Sequence, residues 1–103
     1  MQEIGTASAR RMFGGYGIFL DGLMFALIAD GTLYLKTDAD NEATFRDRDL
    51  KPFVYYKRGR PCAMSYFRAP EETLESRDEM TRWARLAFNA ALRAGARKRR
   101  RNE

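Results

Sequence analysis

Two Asp-Gly pairs, Asp21-Gly22 and Asp30-Gly31, divide the stretch from Gly17 to Lys36 into three short apolar runs, GIFL, LMFALIA and TLYLK. Asp-Gly supplies the positive φ angles of a tight hairpin turn, so the stretch predicts three antiparallel strands in a meander. The middle run, Leu23 to Ala29, is apolar at nearly every position, as expected for a strand at the centre of a sheet. A chain that opens this way must build a sheet, and its later segments have to cover it.

The segment from Thr37 to Lys51 is polar. Asp38, Asp40 and Asn41 suit the cap of a helical turn, and Ala43, Phe45 and Leu50 are its apolar contacts, which predicts a short helix inside a connection. Two more strands, Phe53 to Lys57 and Cys62 to Arg68, flank a turn at Gly59 to Pro61. Pro52 and Pro61 fall at strand starts, where a missing N–H costs least.

From Ser76 onward the period changes from two to 3.6. Met80, Trp83, Ala84, Ala87, Phe88, Ala91 and Leu92 form one apolar stripe, with Arg82, Arg85, Asn89 and Arg93 off it. Ser76 and Glu79 have the spacing of a capping box, and Gly95 is placed to end the helix. A stripe carrying Trp83 and Phe88 needs a cover, and the sheet is the surface large enough to provide it. The expected fold is therefore α+β, an antiparallel sheet of about five strands with a C-terminal amphipathic helix on one face.

With 103 residues and 45% apolar content, one core is expected. The single cysteine, Cys62, excludes an internal disulfide, and no apolar run approaches the roughly 20 residues of a membrane helix. These features predict a cytoplasmic protein with no membrane partner. The net charge of +5 is concentrated in Arg97, Lys98, Arg99, Arg100 and Arg101, which hold five of the 19 basic residues. The expected organisation is a short N-terminal segment (1–9), a folded domain (10–95) and a basic, disordered tail (96–103). Such a tail is either a solubilising extension or a contact for a polyanion.

The glycine-rich FGGYG, Phe13 to Gly17, invites a phosphate-loop reading, but the residue types refuse it. Counting from Gly15 and Gly17, the third dinucleotide-fingerprint position is Leu20, no Gly-Lys-Ser/Thr triplet occurs, and a strand follows where a helix is required. An RNA-recognition signature laid over Gly14 to Asp21 matches only at Gly15, Tyr16 and Gly17. The simpler expectation is that Gly14 and Gly15 allow a bend or bulge where the chain enters its first strand.

Catalytic sets fare no better. There is no histidine, so Ser-His-Asp and Cys-His arrangements cannot form, and zinc lacks ligands. Asp38, Asp40 and Glu42 resemble the start of a calcium loop, but Ala43 stands where that loop needs glycine. No cofactor, no metal and no enzymatic activity are expected. Cys62, opening an apolar strand, is read as a small packed side chain. Arg58 and Arg60, near Tyr55, Tyr56 and Tyr66, are either solvated turn residues or contacts for bases or an acidic partner.

Taken together, RRMFGGYGIFLDGLMFALIADGTLYLK, PFVYY, MSYFRAPEE and WARLAFNAAL closely resemble the N-terminal domain of the TfoX/Sxy family, regulators of natural competence in bacteria. The most specific part is Arg11, Met12, Phe13, Gly14, Gly15, Tyr16 and Gly17, with Lys36, Pro52-Phe53 and Ser65-Tyr66 in support. The resemblance covers about Ala9 to Ala94. It implies an α+β domain with a helix before and after a five-stranded sheet. It also implies transcriptional regulation of competence genes in cooperation with a cyclic-AMP-dependent activator, with no established enzymatic activity. About nine residues precede RRMFGG, so either the true start lies upstream or the opening helix is shortened or absent. One sheet face would then expose an apolar patch, fitted to a homodimer or a protein partner. The alternative function is sequence-blind nucleic-acid binding by Arg58, Arg60 and the basic run from Arg97 to Arg101.

Overall fold

The computed structural model describes residues 7–12 and 14–101, with side chains as far as Ala96. Its strands are β1 (Ala7–Met12), β2 (Gly15–Leu20), β3 (Leu23–Ala29), β4 (Thr32–Lys36), β5 (Pro52–Lys57) and β6 (Arg60–Arg68). Its helices are α1 (Glu42–Arg46), α2 (Glu72–Glu75) and α3 (Arg77–Arg101). The strands form one open antiparallel sheet in the order β1-β2-β3-β4-β6-β5, and α3 packs on β3 and β4.

The meander is as the Asp-Gly pairs require. Asp21 and Gly22 have φ of 52° and 79°, and Asp30 and Gly31 have 51° and 71°, the paired left-handed angles of a two-residue turn. A third such turn joins β5 to β6 at Arg58 and Gly59, with φ of 55° and 77°. The sequence points to Gly59 to Pro61 for that turn. Arg58 takes the left-handed position instead, so Arg60 already lies in β6, opposite Lys57.

One irregularity organises the core. Phe19 pairs with Met24 and Ile18 with Ala26, which leaves Phe25 as an extra residue in β3. A bulge of this kind turns two successive side chains to one face. Phe25 and Ala26 are both buried in the cluster with Leu20, Leu35, Phe45, Phe67, Trp83, Ala84, Ala87 and Ala91. Trp83 meets Phe45 edge-on at 5.1 Å between ring centroids, so the short α1 seals the end of the core through Phe45. The polar connection does contain the expected helix.

Four expectations change. The sheet has a sixth strand, β1, where a short segment outside the domain was expected; its sequence ASARRM shows no apolar alternation because an edge strand with one neighbour is exposed from Ala7 to Arg11. The helix does not end at Gly95 but runs to Arg101, so the basic run continues it as helical backbone. Gly95 is retained inside it by a close contact, since a Cβ there would lie 3.2 Å from Leu23 Cδ2. The buried stripe of α3 is rotated slightly from the expected one: Ala90 is 0% exposed and Leu92 is 43% exposed. Cys62 is exposed rather than packed, because β4 pairs with β6 only from Tyr66 to Arg68 and the start of β6 has β5 as its one neighbouring strand.

Helix α2 was not foreseen, and it explains half a capping box. Ser76 Oγ accepts the Glu79 N–H at 3.3 Å, as expected. The Ser76 N–H, however, is already donated to Glu72 O in α2 at 2.9 Å. The Glu79 carboxylate is thereby free to pair with Arg82 at 3.5 Å.

Candidate interaction surfaces

The FGGYG motif is structural in three different ways. Met12 pairs with Gly15 where β1 meets β2, and Gly14, just before that pair, has φ 74°. Phe13 itself lies outside the described residues. Gly15 lies so close to β3 that a Cβ on it would fall 1.8 Å from the Ile28 carbonyl oxygen. Gly17 is buried, with the Met12 and Met24 sulfurs 2.8 and 3.0 Å from where its Cβ would be. The strand entry is shaped as expected, although the bulge belongs to β3. β1 precedes the motif and β2 contains its last three residues, so no helix begins there.

Around this motif the sheet leaves an apolar strip uncovered beside α3. Arg11, Tyr16, Ile28 and Leu33 are directly paired across β1, β2, β3 and β4. Tyr16 is 44% exposed and Ile28 37%. The strip borders a cavity of about 200 Å3 lined only by apolar residues, among them Ile18, Leu33, Met80 and Ala84. Ile28 could not be singled out in the sequence, because in LMFALIA every residue is apolar and the bulge decides which face each one takes.

The second surface is the β5–β6 hairpin. Every residue from Val54 to Ala63 is exposed. Between Leu50 and Glu71 the chain carries five basic residues and no acidic one. Arg58 sits in the turn and Arg60 beside it, so the two expected contact residues come together at one tip with Lys57. Tyr55 and Tyr56 lie on the same hairpin, but Tyr66 does not join them. It is buried and donates its hydroxyl to Met24 O at 3.2 Å. The side chains of Arg97, Lys98, Arg99, Arg100 and Arg101 lie outside the described residues.

Asp38, Asp40 and Glu42 of the α1 connection serve arginines. Asp38 accepts the backbone N–H groups of Asp40 and Asn41 at 3.0 and 3.2 Å, and a two-pronged contact from Arg93 in α3 at 2.5 and 2.9 Å. The Arg93 hydrogen bond holds the Asp38 carboxyl below the usual carboxylate range. Asp40 also reaches Arg93, and Glu42 pairs with Arg46. Asn41 completes the tie by donating to Leu86 O of α3 at 3.1 Å and to Lys36 O at 3.2 Å. Among the described residues, no group of three or more His, Cys, Asp or Glu is placed to hold a metal ion, and no helix is long and apolar enough to cross a membrane.

Lys36, half-buried, packs against the ring of the buried Tyr66. The Lys36 ammonium lies 5.2 Å from the Tyr66 ring centroid, and burial pushes it below the usual lysine range against the opposing pull of Asp38. Burial also pushes the Tyr66 phenol up to about 12. An alkaline absorbance titration is therefore expected to show one phenol ionising near pH 12. Stability should fall from about pH 10 to 12, because the native chain keeps a proton that the unfolded chain releases near 10. A titration in which no phenol ionises as high as pH 12 would contradict this.

Comparison with known proteins places the chain among relatives. The chain is 28% identical over 94 residues to Protein Sxy of Escherichia coli, covering 90% of this chain and 44% of that protein. It is 31% identical over 71 residues to the DNA transformation protein TfoX1 of Aliivibrio fischeri, covering 69% of this chain and 34% of that one. The chain thus spans less than half the length of either relative. Its residues 1–91 match the model of a single family, and on that match the chain belongs to the TfoX N-terminal domain family.

Proposed function

We propose that this domain is a non-enzymatic regulatory module of the cytoplasm that binds another protein through the apolar strip beside α3. One observation carries the reading: Tyr16 and Ile28 stand open to solvent next to an all-apolar cavity. Contiguous apolar surface of this kind marks interaction sites more often than it marks idle surface. The family and a relative named for DNA transformation supply the context, competence regulation. A transcription activator is the class of partner that fits it.

The test is Ile28→Lys. The side chain is already partly exposed, and a lysine on a strand keeps its charge in water. In a reporter of competence-gene transcription the variant should lose at least about tenfold of its effect, as expected for a charge at the centre of an apolar contact. An unchanged response from a correctly folded variant would remove the strip as the contact surface. Sedimentation that shows a dimer dissociated by the same substitution would reassign the strip to self-association.

A second reading is direct, sequence-blind nucleic-acid contact, favoured by the basic run at the end of α3 and by Arg58 and Arg60 at the hairpin tip. It rests on charge alone.

A further inference from the structure

The β5–β6 hairpin has an electrostatic pattern that costs stability. Lys57 and Arg60 are directly opposite each other, with Arg58 in the turn between them. Like charges across a strand pair are destabilising. Among the described residues, none of the three is within ion-pair distance of a carboxylate. The same ribbon carries Tyr56 at 67% exposure, Tyr55 at 36% and Val54 at 39%. Residues 54–57 and 60–63 form a two-stranded arm about 13 Å long at the usual rise per residue, beyond the part of β6 that pairs with β4.

We propose that this arm binds single-stranded nucleic acid passing over its tip, with Lys57, Arg58 and Arg60 on phosphates and Tyr56, which the strand alternation turns to the face opposite Lys57 and Arg60, stacking on bases. The proposal rests on the second reading above and locates it. A duplex hides its base faces and would meet the cations but leave the exposed rings without a role. An acidic peptide would likewise account for the charge and not for the tyrosines. An unpaired strand uses both, since phosphate contacts give salt-dependent affinity and aromatic rings accept any base. The hairpin, rather than the basic run, then decides preference for single strands.

The experiment is fluorescence anisotropy on the full chain with a labelled oligothymidylate, a duplex of equal length and poly-glutamate, each across a salt series. Three variants are compared. Tyr56→Ala removes an exposed ring. Arg58→Asn with Arg60→Gln removes two charges while leaving Asn-Gly, a favoured pair for this turn. The third replaces all five basic residues from Arg97 to Arg101 by glutamine.

Tyr56→Ala should weaken oligothymidylate binding about tenfold and leave duplex binding unchanged. The double arginine variant should lower the slope of log affinity against log salt by up to about 1.4, at about 0.7 per phosphate of a single strand. If poly-glutamate binds as tightly and Tyr56→Ala changes nothing, the arm is an acidic-protein contact and the proposal falls. If only the glutamine variant loses affinity, the proposal falls while nucleic-acid binding by the basic run stands. Absence of binding by the unaltered chain would end both and leave the protein-contact reading untouched.

Discussion

Gly15→Ala is expected to destabilise the domain by at least about 3 kcal/mol, while Gly14→Ala, one residue earlier, should cost about 1 kcal/mol. The two glycines serve different physics. Gly14 has φ 74° with nothing within 4 Å of a Cβ, so alanine there meets only the left-handed backbone penalty. At Gly15 a Cβ would overlap backbone, 1.8 Å from Ile28 O and 2.8 Å from Ile28 C, which no rotamer change relieves. β2 and β3 would have to separate at the pair Gly15 and Ala29. Urea unfolding of both variants measures the difference. A Gly15→Ala protein within about 1 kcal/mol of the parent would mean the strands shift apart freely. The result also bears on function, because loss of activity in such a variant would report a damaged sheet and not a lost contact.

Asp38→Ala should cost about 3 kcal/mol, more than an ordinary surface ion pair supplies. The Asp38 side chain is 8% exposed and Arg93 35%, and removing the carboxylate also strands the N–H groups of Asp40 and Asn41. The acid dependence follows the direction of the shift. Because the folded chain holds Asp38 below its ordinary range, the pair's contribution is complete above about pH 4 and disappears as pH falls through the lowered value. Asp38→Ala should accordingly flatten the acid limb of the stability curve. If Arg93→Ala added to Asp38→Ala costs as much as it does alone, the two side chains do not act as a pair.

How far the sequence reveals the fold depends on particular residues. The two Asp-Gly turns, the strand nature of their flanks and the α3 stripe were legible because each depends on local backbone preference or a simple period. β1 was not, since an edge strand of small and basic residues has no buried face to pattern it. Arg93 was read only as lying off the stripe; its partner Asp38 is 55 positions away, and no local signal joins them. Cys62 misled because apolar neighbours indicate burial only where another element covers them, and the hairpin extends past its cover. Of the interaction surfaces, Arg58 and Arg60 were legible from composition, whereas Tyr16 and Ile28 became a strip only through the register that pairs them.

The three two-residue turns have a kinetic corollary. Each joins strands whose partners are near neighbours along the chain, so β2 to β4 and the β5–β6 ribbon are assembled from short loops. Hairpins of this kind form in about 1–10 μs, and low mean sequence separation favours fast folding for a sheet protein. The slow requirements are the two distant closures, β6 onto β4 and α3 across β3 and β4. Until both are made, β4 keeps an unpaired edge and Phe25 and Ala26 of β3 lack the cover of α3, which leaves both open to intermolecular association. Asp38 and Asn41, by fastening α3 to the connection between β4 and β5, stabilise the end point of the second closure.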